Sequence, residues 1–276
     1  MIEQVQLERK KGGSIVWEES HMKKIKELYE SGMNLTEVGK VFGVSYGTIK
    51  NKLKEMGVKI LGHKDMNPRN SNYFNPQNLN EESAYWLGFL YADGCVHSNS
   101  NEISVTLKDE EHLYKFKEAI ESSNSVGVTN IDKFKKPTKT FHFSIKDKKI
   151  KNDLIELGCI PRKSLKLDKL PNIKSELIPH FLRGYFDGDG SLHYTHDGKR
   201  VRISFLGTKP FLENIRNIVD TNNSISLGTG QAYYFQVAGQ KKVSEILEYI
   251  YKDSTEKTRL NRKYELYQSM LRVLHS

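Results

Sequence analysis

The chain has 276 residues, of which 37% are hydrophobic, 28% charged and 10% aromatic, a folded profile rather than a disordered one and long enough for two or three small domains. Forty-three Lys and Arg against 34 Asp and Glu leave a formal charge of +9, which suits a polyanionic partner but does not by itself name one. No apolar run reaches the roughly 20 residues that span a bilayer, the N-terminus carries no secretion signal, and two cysteines are too few for a disulfide framework or a cysteine zinc site.

Residues 1–20 read as an N-terminal extension. Within a domain read over 21–57, the segment "KKIKELYESGMNLTEVGKVFGVSYGTIKNKLKEMG" from Lys23 to Gly57 places Ile25, Leu28, Leu35, Val38, Phe42, Val44, Ile49 and Leu53 at helical spacing, one buried stripe on each of three short helices. Gly32 closes the first, Asn34 or Thr36 caps the second, and Gly43 turns the chain before Ser45 caps the third. The pattern predicts a small all-α helix-turn-helix domain. With Ile49 and Leu53 inward, the third helix exposes Tyr46, Thr48, Lys50, Asn51, Lys52 and Lys54, a set that offers ammonium groups to phosphates and polar groups to base edges. Residues 58–80, rich in Asn, Ser and Pro and without periodicity, read as a linker.

The remainder repeats. "WLGFLYADG" at Trp86 to Gly94 and "LRGYFDGDG" at Leu182 to Gly190 align with a period of 96 residues. Each is followed by two strands, a helix, two strands and a helix: strands over 95–108, helix 109–123, strands 126–146 and helix 149–157 in the first, then a hairpin over 191–207 turning on Asp197-Gly198, helix 209–221, strands 224–238 and helix 241–252. The fold class is α+β, two pseudo-symmetric αββαββα repeats over 81–175 and 176–276, the second closed by a helix near 257–274.

Gly88 with Ala92, and Gly184 with Gly188, give each opening helix a face of small residues on which another backbone comes close. The two helices are expected to pack together about a pseudo-twofold axis, with Gly94 and Gly190 supplying the left-handed residue that ends each. Asp93 and Asp189 fall at the last helical turn, where the helix dipole disfavours a carboxylate by about 0.3–1 kcal/mol. Two such groups brought together repel further unless a cation lies between them. The hard cation for two carboxylates and phosphate oxygens is Mg²⁺, with Mn²⁺ as a substitute.

These motifs, their spacing, the repeated strand pattern, the segment "LGCIPRKSLKLDKLP" at Leu157 to Pro171 and "YIYKDSTEKTRLNRKYELY" near the C-terminus are similar to those of LAGLIDADG homing endonucleases in their single-chain, two-repeat form, the last two to the intein-type branch. The resemblance implies saddle-shaped antiparallel sheets straddling double-stranded DNA, paired motif helices, Asp93 and Asp189 as metal ligands and catalytic residues, and a staggered double-strand break by a monomer with internal pseudo-twofold symmetry. It also implies a basic catalytic residue at Lys163 and a second at Lys263, with Arg262 as its rival. Tyr91 departs from the family at the sixth motif position, which Asp187 keeps; that position does not ligate metal, so the sixth acid reads as one that can be spared.

Strand alternation groups Ser104, Thr106 and Lys108, then Arg200, Arg202 and Ser204, then Gln231, Tyr233 and Phe235, as candidate DNA-facing sets, either parity being open. Lys133, Lys135, Lys136 and Lys139 are expected at phosphates. A non-cleaving DNA-binding regulator and an RNA maturase are the alternatives on the same fold. Intact Asp93 and Asp189 argue against the first, and the helix-turn-helix pattern favours duplex DNA over RNA. Met1 and the terminal "LHS" lack an intein's splice residues, so the chain reads as freestanding. It is expected in the cytoplasm or an organellar genome compartment, away from membranes.

Overall fold

The structure, a computed structural model, describes residues 5, 7–10, 13, 15–60, 68–133, 136–195, 200–228 and 230–275. They fall into two compact units, Met1–Pro68 and Arg69–Ser276.

The first unit holds α1 (Glu19–Glu30), α2 (Leu35–Phe42) and α3 (Tyr46–Glu55). Ile25, Val38, Phe42, Ile49 and Leu53 form its centre, joined by Tyr29 and Val41. Asn34, not Thr36, caps α2: its side chain accepts from the Thr36 and Glu37 amides, and Glu37 returns a bond to the Asn34 amide. Gly43 takes φ +62° at the end of α2 and Ser45 caps α3. The expected extension over 1–20 is not separate. Val5, Leu7 and Trp17 pack on this centre, and the Val5 amide donates to the Val41 carbonyl at 2.9 Å.

The 58–80 linker is also corrected at both ends. Val58 and Ile60 pack on the first unit, while residues from Arg69 onward belong to the second. There Phe74 is fully buried, the Asn70 amide donates to the Ile120 carbonyl, and Arg69 donates to the Lys146 carbonyl. Polar composition suggested a loose tether, but asparagine side chains close turns here, as Asn70 does on Asn72 and Asn75 on Gln77, and one aromatic anchors the stretch.

The second unit runs α4 (Glu81–Ala92), β1 (Gly94–Val96), β2 (Glu102–Leu107), α5 (Glu110–Ala119), β3 (Gly127–Lys133), β4 (Lys136–Lys146) and α6 (Lys148–Glu156). It then repeats the order as α7 (Ile178–Asp189), β5 (Gly190–Tyr194), β6 (Val201–Gly207), α8 (Lys209–Ile218), β7 (Ile225–Leu227), β8 (Tyr233–Ala238) and α9 (Gln240–Tyr251), with α10 (Asn261–His275) last. Each repeat makes one antiparallel four-stranded sheet, in the orders β1-β2-β4-β3 and β5-β6-β8-β7. Gly94 pairs with Val105 and Gly190 with Phe205, so each motif helix feeds its sheet at the same register. This is the two-repeat αββαββα architecture expected from the sequence. The Asp197-Gly198 turn lies outside the described residues.

Every residue from Ser83 to Tyr91 of α4 is buried, because α7 covers one side and the rest is closed in by the surrounding core. A Cβ on Gly88 would lie 1.9 Å from the Phe181 carbonyl oxygen, and one on Gly184 would lie 1.9 Å from that of Tyr85. The two contacts are reciprocal, as a twofold axis requires.

Gly94 and Gly190 are corrected. Neither has positive φ, and Gly190 is extended at φ −91°, ψ 163°. Glycine is needed because a Cβ at 94 would meet the Leu90 carbonyl oxygen at 2.7 Å and one at 190 the Phe186 ring at 2.1 Å. The chain folds straight back from helix to strand over its own last turn.

Candidate active site

The α4–α7 contact brings the two motif aspartates to one end of the helix pair. Asp93 is the C-cap of α4 and Asp189 the last residue of α7. A Cβ on Gly188, the residue before Asp189, would stand 3.4 Å from Asp93 Oδ2 and 2.3 Å from Ala92 Cβ, so only a glycine admits this approach. Partial burial, followed by the charge of Asp93, raises the Asp189 carboxyl to about 6. Asp93 opens to solvent, yet the protein around it raises its carboxyl too, with Lys263 and then Lys163 opposing the rise.

Lys163 and Lys263 occupy equivalent places. Lys163 Nζ donates to the carbonyls of Ala92, at 3.1 Å, and Gly94. Lys263 Nζ donates to Phe186 at 2.5 Å, Gly188 at 3.4 Å and Gly190 at 2.6 Å. Each ammonium therefore caps the carbonyl end of one motif helix, where the dipole favours a cation and disfavours the adjacent aspartate. Burial lowers Lys263 to about 8, and Asp187 is the largest charge holding it up. Arg262, the rival, points elsewhere, to Asp109 at 3.2 Å on the surface. Arg162, just before Lys163, is left-handed at φ +56°, a strained conformation for a residue with a Cβ.

The donor set suits a hard divalent ion. Among the described residues no three His, Cys, Asp or Glu gather as a metal cage. Two carboxylates at an open end are instead a donor pair that a hard, partly hydrated divalent ion takes.

Strand register decides which parity is open. Ile103, Val105, Phe141, Phe143 and Ile145 of the first sheet, and Ile203, Phe205, Phe235 and Val237 of the second, are buried. The opposite side carries Thr106 and His142, joined at 3.0 Å, and in the second sheet Ser191 with Ser204 at 2.7 Å and His193 opposite Arg202. Arg202 is exposed on the open side, Ser104 shares that parity but is buried against His97 Nε2 at 3.0 Å, and Lys108 and Arg200 are exposed beyond the ends of β2 and β6. Tyr233 is corrected: it shares the Phe235 side and packs on the core, leaving Tyr234 on the open side. Lys139 likewise shares the Phe141 side, its Nζ 4.8 Å from that ring. The Lys133 and Lys136 backbones pair at the strand ends; their side chains, and all of Lys135, lie outside the described residues. On α3 of the first unit, Tyr46, Asn51 and Lys54 are exposed and Thr48 and Lys50 half-buried, while Lys52 turns to Glu55 at 2.6 Å.

Sequence reasoning missed a buried polar group beneath the site. Asp187, 1% exposed, accepts from Tyr85 Oη at 2.8 Å, Tyr251 Oη at 2.6 Å and the Leu260 amide at 2.7 Å. The sixth motif acid is therefore not spare in this repeat. Its counterpart Tyr91 is buried and donates to the Leu157 carbonyl at 2.5 Å. Because Tyr85 donates to Asp187, its 3.1 Å contact with His112 Nε2 makes that nitrogen the donor. His112 Nδ1 is then left without a proton or partner, and burial holds the ring neutral, with its pKa lowered to about 3.

The raised Asp189 carboxyl predicts a pH effect on stability. The folded state holds this proton more tightly than the unfolded state, at about 6 against 3.8. That contribution is fully present below the unfolded value and is lost as pH rises through about 6. In metal-free protein, Asp189→Asn should match wild type near the acid end and melt higher at neutral pH. Thermal unfolding of both proteins across that range measures the crossover.

No family model matches the chain. Two curated proteins of Methanocaldococcus jannaschii do. A probable translation initiation factor IF-2 is 26% identical over 229 residues, 72% of this chain and 18% of that protein. A replication factor C small subunit is 31% identical over 123 residues, 43% of this chain and 6% of that protein. The chain thus spans less than a fifth of either relative. Among solved structures, the LAGLIDADG meganuclease I-AabMI bound to uncleaved DNA is 13% identical with a TM-score of 0.48, covering 71% of this chain and 90% of its own. The LAGLIDADG homing endonuclease I-SmaMI bound to cleaved DNA is 16% identical with a TM-score of 0.44, covering 71% and 89%. Full-length DUF199/WhiA from Thermatoga maritima is 15% identical with a TM-score of 0.42, covering 74% and 64%.

Proposed function

We infer that this chain, with its two-repeat LAGLIDADG fold, is a homing endonuclease that hydrolyses both strands of a long double-stranded DNA target with divalent metal ions. The observation that carries the reading is the pair of motif aspartates delivered by one glycine-mediated helix contact, each beside a lysine that caps the same helix end. Nothing about folding favours two carboxylates there, and phosphodiester hydrolysis does.

In this reading Asp93 and Asp189 hold Mg²⁺, which supplies water activation and charge neutralisation at phosphorus. Lys163 and Lys263 keep positive charge beside the phosphate, where charge grows during the reaction. The open sheet sides, with Thr106, Arg202 and Tyr234, lie along the major groove and set the register of the scissile bonds. The first unit acts as a helix-turn-helix that adds contacts through Tyr46, Lys50, Asn51 and Lys54, and tethering raises avidity. A stretch shared with small parts of a translation factor and a replication factor supports a mobile module over a role in either process.

The test is incubation of the protein with plasmids carrying its own gene's flanking sequence, and with a randomised target library, in Mg²⁺ and in EDTA. Metal-dependent linear product is expected. Its absence across the library sinks the nuclease reading, and a retarded but uncut complex would mark a regulator instead. Lys50→Ala should weaken target binding and reduce the salt slope by about 1 while leaving the cleavage rate at saturation unchanged; an unchanged slope would remove the first unit from the DNA.

A further inference from the structure

We propose that Asp187 is a positioning residue for Lys263, so that one half of the site is set by a buried carboxylate reaching across the repeat junction while the other half is set differently. The inference deepens the nuclease reading and rests on it for its consequence, though its geometry stands alone.

The connection is direct. Asp187 Oδ2 accepts from the Leu260 amide at 2.7 Å. The Leu260 carbonyl in turn accepts from the amides of Lys263 at 3.0 Å and Tyr264 at 3.1 Å, which starts α10. Lys263 Nζ then returns to the carbonyls of Phe186 and Gly190 on either side of Asp187. The chain closes on itself around one carboxylate.

A second anchor lies one turn earlier on α7. The buried Arg183 donates to the carbonyls of Ile250 at 2.8 Å and Thr258 at 2.7 Å, holding both ends of the segment that leads to Leu260. The remaining acceptor capacity of Asp187 is taken by Tyr251 and by Tyr85, which comes from the first repeat and contacts His112 there. A buried carboxylate is tolerated only when hydrogen-bonded or paired, and three donors with Lys263 nearby meet that condition.

Among the described residues the first repeat has no equivalent arginine or carboxylate on its motif helix. Leu87 and Tyr91 stand where Arg183 and Asp187 stand. There a single phenol donates to the Leu157 carbonyl, and Lys163 follows the left-handed Arg162 in a short 3-10 turn. Both ammoniums reach the same place on their helices, but only the segment carrying Lys263 is tied to a buried carboxylate. Losing Asp187 should therefore release Lys263 alone.

The experiment has two arms. In the first, metal-free protein is acylated at trace levels and the two lysines are compared by mass spectrometry. Asp187→Asn should raise the labelling rate of Lys263 by about tenfold through local opening and leave Lys163 unchanged. Tyr251→Phe, which removes one donor and keeps the charge, should give a smaller rise at Lys263 and decides the matter if Asp187→Asn does not fold. Tyr91→Phe should leave Lys263 protected. Unchanged Lys263 labelling in the folded variants, or equal loosening of both lysines, overturns the proposal. In the second arm, Asp187→Asn or Tyr251→Phe cuts a target plasmid. Nicks accumulating always in the same strand, with target affinity kept, support unequal half-sites; equal slowing of both strands refutes them. Selective labelling with a wild type that cuts no DNA would fail the nuclease reading and leave the positioning intact.

Discussion

Asp93→Asn and Asp189→Asn should each lower double-strand cleavage by about a hundredfold to a thousandfold while target affinity stays within a few-fold of wild type. Both side chains keep their shape in these variants and lose only the charge that would hold a cation. The same substitutions should stabilise the metal-free protein by about 0.3–1 kcal/mol, because each carboxylate faces a negative helix end and its partner's charge. A rise in melting temperature with a fall in cleavage is the signature of a functional strain, since a structural aspartate would move both downward. Supercoiled-plasmid cleavage and thermal unfolding of the same preparations measure the pair, and wild-type cleavage by either variant would refute the ligand assignment.

Gly88→Ala and Gly184→Ala should each destabilise the second unit by more than about 3 kcal/mol. The added methyl would lie 1.9 Å from a carbonyl oxygen of the facing helix, a backbone atom that yields only if the helices separate. Separation would also part Asp93 from Asp189, so cleavage should be lost even at temperatures where the variants remain folded. Gly47→Ala is the control. Its Cβ would meet Ser45 Oγ at an ordinary 3.7 Å, and replacing a helical glycine should stabilise the first unit by about 0.5–1 kcal/mol. Denaturant unfolding separates the cases, and a tolerated Gly88→Ala would mean that the helix contact is looser than described.

Much of the second unit was legible because its signals are local. Alternating residues such as those around Ile103, Val105, Phe141 and Phe143 mark strands without fixing which side is open, and the 96-residue repeat lets each half check the other. Glycine was legible as a mark of close approach at Gly88 and Gly184. The purpose of Gly94 and Gly190 was misread because a left-handed cap and a tight reversal over the previous turn call for the same residue. Residues 58–80 looked like a tether because polar composition does not distinguish solvent from turns closed by asparagine. Tyr233 and Tyr234 could not be told apart until strand register put one beside the core.

The sequence by itself determined the repeat, the element order, the motif aspartates and the basic segments that follow them, since each depends on residues near one another in the chain. Only the tertiary structure decided that Lys263 and not Arg262 matches Lys163, that Asp187 is occupied and Tyr91 is its substitute, and which side of each sheet is open. Those rest on contacts between residues distant in the chain, such as Asp187 with Tyr251, 64 positions away, and with Tyr85, 102 positions away. A buried carboxylate, three donors and an ammonium become one group only when two helices meet at their glycines, and no periodicity along the chain records that meeting.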